Sequence, residues 1–403
     1  MRGLVLGLML AAVPWASAFA APWTFGPSIE VTQTQAKVFQ HLDSSGRHNI
    51  AAGKQGVAIA WEDDRDGTPR VYLAYKAFND QQFSSALRIS GKGEAYEPSI
   101  VALGEARFAV AWEEDEQVHV RLVQTGDKPN RGPLLTVGKG SQANLVADNG
   151  KLMLLWSARD SRFGRITLQP INVDGKSLHA DKSCPVDAVP PTDEQLYPSG
   201  VVLNGRVVVT WEDRRPKHTI IMASVENEPG ACRFSNPVRI SYKKAGRSIK
   251  YGAGHGVARV ALARIDDKHV FAAWADKRDF RNGYDIWGAF YKEGGRFGKN
   301  QKVQDDFGGL AKQRHATVAG QNGSLVVAWD DNREGNTDIM LSWHMEDGWS
   351  DDWPIPDASG KGEQSHPSMV FDAQGNLHIV WVERDKIGGP TRLKYSMGRN
   401  NTK

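Results

Sequence analysis

The chain has 403 residues, of which 24% are charged, with acids and bases interleaved to a formal net charge of +3. So small a charge, with no basic tail or stripe, argues against nucleic acid as a partner. The 41 glycines and 19 prolines suit many short strands and turns, and after the amino terminus no stretch is long and apolar enough for a stable membrane span.

The amino terminus reads as a secretory signal peptide: Arg2, the apolar run from Leu4 to Val13, Pro14, and then Ala18-Phe19-Ala20 before Ala21. The expected division is a signal peptide at 1–20 and one domain at 21–403, exported to the periplasm or the medium if the source is bacterial. Export permits a disulfide between the two cysteines, Cys184 and Cys232; two separate buried thiols are the alternative.

One phrase recurs along the rest of the chain. It is clearest from Leu325 to Gly335, where an alternating apolar strand ends at Trp329, an acidic turn follows, and a new apolar strand begins near Asp338-Ile339. The same phrase ends at Trp61, Trp112, Trp156, Trp211, Trp274 and Trp381, at separations of 51, 44, 55, 63, 55 and 52 residues across the seven copies. Short strands at a period near fifty indicate radial repetition. Each copy has a strand upstream, as in Glu97-Pro98-Ser99, Tyr197-Pro198-Ser199 and His366-Pro367-Ser368, a third strand such as Val71-Tyr72-Leu73, and a fourth such as 83–89. Four strands per repeat make a blade. Side chains alternate along a strand, so each tryptophan projects with the residues two and four before it and fills the wedge between blades. The last copy lacks a fourth strand, and residues 25–31 resemble one. The sequence therefore predicts an all-β, seven-bladed propeller of four-stranded antiparallel blades, with an amino-terminal strand closing the last blade and removing a pair of open edges.

Two residues after the tryptophan stands an acid in six copies (Asp63, Glu114, Asp213, Asp276, Asp331 and Glu383), and two residues further on an arginine in four (Arg65, Arg215, Arg278 and Arg333). Repetition favours a local role, in which a carboxylate accepts turn amides while arginine bridges to a neighbouring strand or blade.

The phrase Val326-Val327-Ala328-Trp329-Asp330-Asp331-Asn332-Arg333, with Asp338-Ile339 after it, resembles the sialidase-like, BNR-repeat β-propellers of secreted proteins across about residues 23–397. The Asp-boxes of that family are reduced here to turns such as Glu346-Asp347-Gly348-Trp349. The resemblance implies the propeller. For sialidases proper it also implies three arginines around a substrate carboxylate, and Arg65, Arg278 and Arg333 are the candidates. The early Arg-Ile-Pro motif is missing, and linear spacing selects neither a nucleophile nor a general acid from the many acids present.

A less repetitive signal precedes the first strands. Aligning the copies on the proline-like position gives His48, Glu97, Ala143, Tyr197, His255, His315 and His366. The four histidines fall in blades one, five, six and seven, which are contiguous in a closed ring, and Glu97 lies in the next blade. Imidazoles with a carboxylate suit Zn, Cu or Fe, so His48, His255, His315, His366 and Glu97 are the candidate metal ligands, with Tyr197 a further ligand contact. Metal-free acid–base contacts, or histidines that merely bond to turns, are the alternatives. The leading expectation is an exported binding or interaction propeller with a metal-bearing axial pocket for a glycan, a polar small molecule or an envelope protein. The alternatives are a carbohydrate-active enzyme (polysaccharide lyase or glycoside hydrolase) and a purely structural module. The sequence leaves the catalytic residues and the oligomeric state open.

Overall fold

The computed structural model describes residues 21–401 apart from 43–45, 105, 127–128, 160, 176, 243–255, 279–282 and 306–308. The proposed leader, 1–20, and His255 lie outside the described residues.

The described residues are all β, in seven four-stranded antiparallel units arranged as a propeller. The units of blades two and three run together into one eight-stranded sheet, because the strand Asn130–Asp148 is outermost in blade two and innermost in blade three. The innermost strands touch one another in a closed cycle, from Ile50–Ala52 in blade one round to Glu363–Phe371 in blade seven and back. The expected closure is present. Ile29 pairs with Tyr395 and Glu30 with Lys394, and Trp23–Phe25 pairs with the end of the strand Thr391–Asn400.

Seven hydrophobic clusters sit at the seven junctions between blades, and each contains one of the repeated tryptophans. The strand Gly56–Asp63 shows the alternation. Val57, Ile59 and Trp61 pack against blade seven, while Ala58 and Ala60 pack against blade two. Burying one such ring contributes at most about 5 kcal/mol at 25 cal/mol per Å².

A buried indole N–H needs an acceptor. The acid two residues on supplies it in six blades: Trp61, Trp112, Trp211, Trp274, Trp329 and Trp381 donate Nε1 to Asp63, Glu114, Asp213, Asp276, Asp331 and Glu383 at 2.9–3.1 Å. In blade three Ala158 holds that position, and the buried Trp156 Nε1 has no partner among the described residues. The same carboxylates accept the turn amides of Arg65, Arg215 and Arg333 at 2.8–2.9 Å.

Neighbouring inner strands are stitched by hydroxyls. Ser99 Oγ accepts from Leu145 N of blade three, Ser199 Oγ from Leu262 N of blade five, and Ser368 Oγ from Asn49 N of blade one, at 3.0–3.1 Å. This is the physical content of the Pro-Ser phrase. Cys184, beside the outer strand of blade three, is disulfide-bonded to Cys232 of blade four, with a Cα–Cα distance of 5.7 Å. No helix of the described residues is long and apolar enough to cross a membrane.

Asp331→Ala strands the Trp329 N–H and the Arg333 amide together and leaves the Arg333 guanidinium with Asp352 and Asp305 alone. It is expected to cost roughly 3–5 kcal/mol of unfolding free energy, read from denaturant titration. Trp329→Phe keeps a ring and loses only the N–H, and should cost less.

Candidate functional site

Each inner strand of blades two to seven carries a bulge at the same register, and its first residue has a left-handed backbone: Glu97, Gln142, Tyr197, Arg259, His315 and His366, with φ between 50° and 61°. A bulge adds an unpaired residue and turns its side chain out of the ladder. In blade one the Asn49 carbonyl accepts from Ala60 N, which matches Asn49 to Ser99 opposite Ala111 and makes Arg47 the equivalent position.

The ring of equivalent residues therefore differs from the one expected. Arg47 replaces His48, Gln142 replaces Ala143, and Arg259 holds the blade-five position expected for His255. His48 is half-buried one residue further on. Its carbonyl accepts from Ile100 N, and burial lowers its imidazole pKa. The proline-like anchor fails because blades one, three, five and six have no proline there. The constant feature of the geometry is the residue opposite the one before the tryptophan.

The ring side chains meet around the axis. The Arg259 guanidinium lies 3.4 Å from the centre of the Tyr197 ring, and that of Arg47 lies 5.7 Å from it, although Arg47 comes from blade one and Tyr197 from blade four. Arg47 Nη2 is also 2.6 Å from Glu97 Oε2 of blade two. The segment before the first strand of blade one thus crosses the axis. Gly46 takes Asn144 Nδ2 of blade three on its carbonyl at 2.5 Å, and a Cβ on Gly46 would clash with the Val260 carbonyl oxygen of blade five. With φ of +83° as well, the position requires glycine.

A second set of acids lies directly after the tryptophans, beside the better-repeated acids of the turns. Each accepts the bulge amide of a nearby blade: Glu62 from Glu97 N at 3.4 Å, Glu113 from Gln142 N, Glu212 from Arg259 N at 2.7 Å, and Asp330 from His366 N at 3.2 Å. Position explains the different protonation of these acids. Burial, and then the nearby Glu97 carboxylate, raise Glu62 to about 7 despite its amide bond. Burial also raises Glu113, and Glu97, to which it is hydrogen-bonded, raises it further. Glu97 itself is lowered, because the charge of Arg47 and the bond from Glu113 outweigh its burial. One carboxyl of this touching pair is thus protonated and the other ionised.

At the opposite side of the ring, His315 and His366 stack with centroids 3.8 Å apart, and His315 Nδ1 lies 2.6 Å from Asp330 Oδ2. Burial, and then the neighbouring His315, lower His366 to about 3. Burial would raise Asp330, but His315 and His366 outweigh it and the net shift is downward. Of the expected metal set, the structure brings together His315 and His366, joined by Asp330 rather than by Glu97 or His48. Glu97 is committed to Arg47 and Glu113. Arg65, Arg278 and Arg333 do not converge with this ring. Each pairs with the acid of its own turn, Asp63, Asp276 or Asp331. A groove of about 980 Å³ lies beside the disulfide at the edges of blades three and four. Its charged lining, including Lys151, Lys182 and Arg233, has no acid–base pair comparable to the one at the axis, which is where the chemistry converges.

The class of protein that this architecture defines is the β-propeller, and solved propellers superpose on the chain. A polysaccharide lyase matches with a TM-score of 0.58 at 8% identity, covering 88% of this chain and 90% of that one. The propeller domain of the Trilobed protease from Pyrococcus furiosus matches at 0.53 and 10%, covering 92% and 97%. An α-L-arabinofuranosidase of Fusarium graminearum matches at 0.50 and 8%, also covering 92% and 97%. At these identities the likeness is one of fold. No protein-family model matches the chain, and no curated protein matches it in sequence.

Two outcomes test the geometry of the axis. Gly46→Ala is expected to lower stability by roughly 1–3 kcal/mol in chemical denaturation, since both the left-handed backbone and the contact with Val260 oppose it. For Glu62 the folded pKa, about 7, lies above the ordinary 4.5. The folded state therefore binds more protons than the unfolded state between these values, and this group's contribution to stability falls as pH rises through that window. Glu62→Gln should flatten the decline in Tm between pH 4.5 and 7.

Proposed function

We propose that the protein is an exported carbohydrate-active propeller whose axial site binds an anionic, uronate-bearing polysaccharide and cleaves it by β-elimination. The observation that carries this reading is the touching Glu97–Glu113 pair, one ionised and one protonated, beside two arginines and a tyrosine. The lyase and arabinofuranosidase among the superposed propellers support a carbohydrate-active role over binding alone. The leader-like residues 1–20 and the Cys184–Cys232 bond support export.

The site suits elimination better than hydrolysis. Glycoside hydrolysis sets two carboxyl groups some 5–9 Å apart, on either side of the bond to be cut. Carboxyls hydrogen-bonded to each other cannot flank it. In the elimination, Arg259 and Arg47 share the uronate carboxylate with their existing partners and so acidify the C5 proton, while the Tyr197 ring packs against the sugar. The Glu97 carboxylate takes the C5 proton, the C5–H electron pair becomes the C4=C5 double bond, and the C4–O bond breaks. The departing oxygen takes the Glu113 proton. One proton has entered the pair and one has left it, so transfer from Glu97 to Glu113 restores the starting state. Sialidase-type hydrolysis has less support, because Arg65, Arg278 and Arg333 are each held in separate turns.

The test is a panel of uronate-bearing polysaccharides, followed both by the ultraviolet absorption of the unsaturated product and by reducing ends. Cleavage with new absorption is expected, and Arg259→Ala should lower kcat/KM about 100-fold or more. Glu113→Gln should act mainly on kcat. Reducing ends without absorption would replace elimination by hydrolysis, and saturable binding without cleavage would return the protein to the binding class.

A further inference from the structure

Asp330 has the same structural role as Glu62, Glu113 and Glu212, which is to accept the bulge amide of a nearby blade. That role needs no histidine, because the amide belongs to Glu97, Gln142 or Arg259 in the other blades. Blades six and seven nevertheless place an imidazole at each of two adjacent bulges. The rings lie within 22° of parallel, and one donor atom from each of His315, Asp330 and His366 lies within 4.8 Å of the other two. Asp330 is also the short acid of its set, which keeps its carboxylate close to the two bulges. Among the described residues this is the single group of three such side chains close enough to share an ion.

We propose that His315, Asp330 and His366 form a binding site for one divalent transition-metal ion of the Zn²⁺ class. Two imidazoles and one carboxylate are a donor set of intermediate softness, suited to Zn²⁺ and its first-row neighbours rather than to Ca²⁺ or Mg²⁺. Donors at 2.0–2.2 Å from a tetrahedral ion stand about 3.3–3.6 Å apart, so the widest separation must close by roughly 1.5 Å or less, while His315 Nδ1, 2.6 Å from Asp330 Oδ2, must open. The two stacked rings must also turn apart about their side-chain torsions, so that the in-plane lone pair of each meets the ion while the bulges stay fixed. Ligation requires neutral imidazoles. The His315–Asp330 hydrogen bond gives way to the ion when it enters. His41 and Arg259 also face His366. Arg259 adds fixed positive charge, so the ion must be held by its direct ligands rather than by the general field. Three protein donors leave a coordination position for water or for a ligand oxygen. The site stands on the geometry of these three side chains and does not depend on the elimination proposed above.

The experiment uses tag-free protein dialysed against chelator, titrated with Zn²⁺ by calorimetry and with Co²⁺ by visible d–d absorption. One ion per chain is expected, with Co²⁺ giving the spectrum of a low-coordinate nitrogen–oxygen site. His315→Ala and His366→Ala, checked for folding by circular dichroism, should each weaken Zn²⁺ binding at least about 100-fold. His269→Ala, remote from the site and paired with Asp266, should leave it unchanged. The proposal is overturned if the wild-type protein shows no saturable binding of either ion, or if His269→Ala weakens binding as much as His366→Ala. The wild-type titration decides the matter even if an alanine variant fails to fold. Metal binding without polysaccharide cleavage would sustain this site while removing the reading above.

Discussion

The structure depends on what happens to the indole N–H of a tryptophan buried between two blades. The ring is the wedge that excludes water from the junction, but its one polar atom must be satisfied in the same dry place. A carboxylate two residues further along the strand lies on the same face, so it meets that atom without any long-range fitting. The same carboxylate then fixes the following turn through the arginine amide and guanidinium in blades one, four and six. One short phrase thereby packs a junction, satisfies a donor and shapes a loop. Blade three, where Ala158 replaces the acid and Trp156 Nε1 lacks a partner among the described residues, shows which of these roles packing alone does not fill.

This logic is local, and that is why the architecture is legible in the sequence. The seven tryptophans, their alternation and the missing fourth strand of the last copy are enough for blade number, blade interior and closure. The outer strands are less legible. Residues 83–89 read as one strand, yet ladder pairing is confined to Leu87–Arg88, because an edge strand has one neighbour and little burial to hold it in register.

The site is legible only in part, and the reason is the bulge. An inserted residue shifts the face on which every later side chain lies. An alignment anchored on proline therefore chooses His48 over Arg47 and His255, outside the described residues, over Arg259. His315 and His366 are found because their blades keep the spacing. Asp330 and Glu113 are hidden by better-repeated neighbours, Asp331 and Glu114, whose role is structural. The available signal is that positions directly after the tryptophan vary between Glu, Asp, Ser, Ala and Val. Positions that vary among repeats of one chain are free to be specialised.

The pairing of residues near 24 with residues near 400, 377 positions apart, also sets an order of events. Whatever the first six blades do during synthesis, the seventh has no complete sheet until the final strand arrives to meet the first. Until then the molecule is an open arc with strand edges bare at both ends. Contacts so distant in sequence form slowly. Closure is therefore a completeness check: a chain cut short before Thr391 would keep most of its blades but leave the first strands without the partner that holds the ring shut.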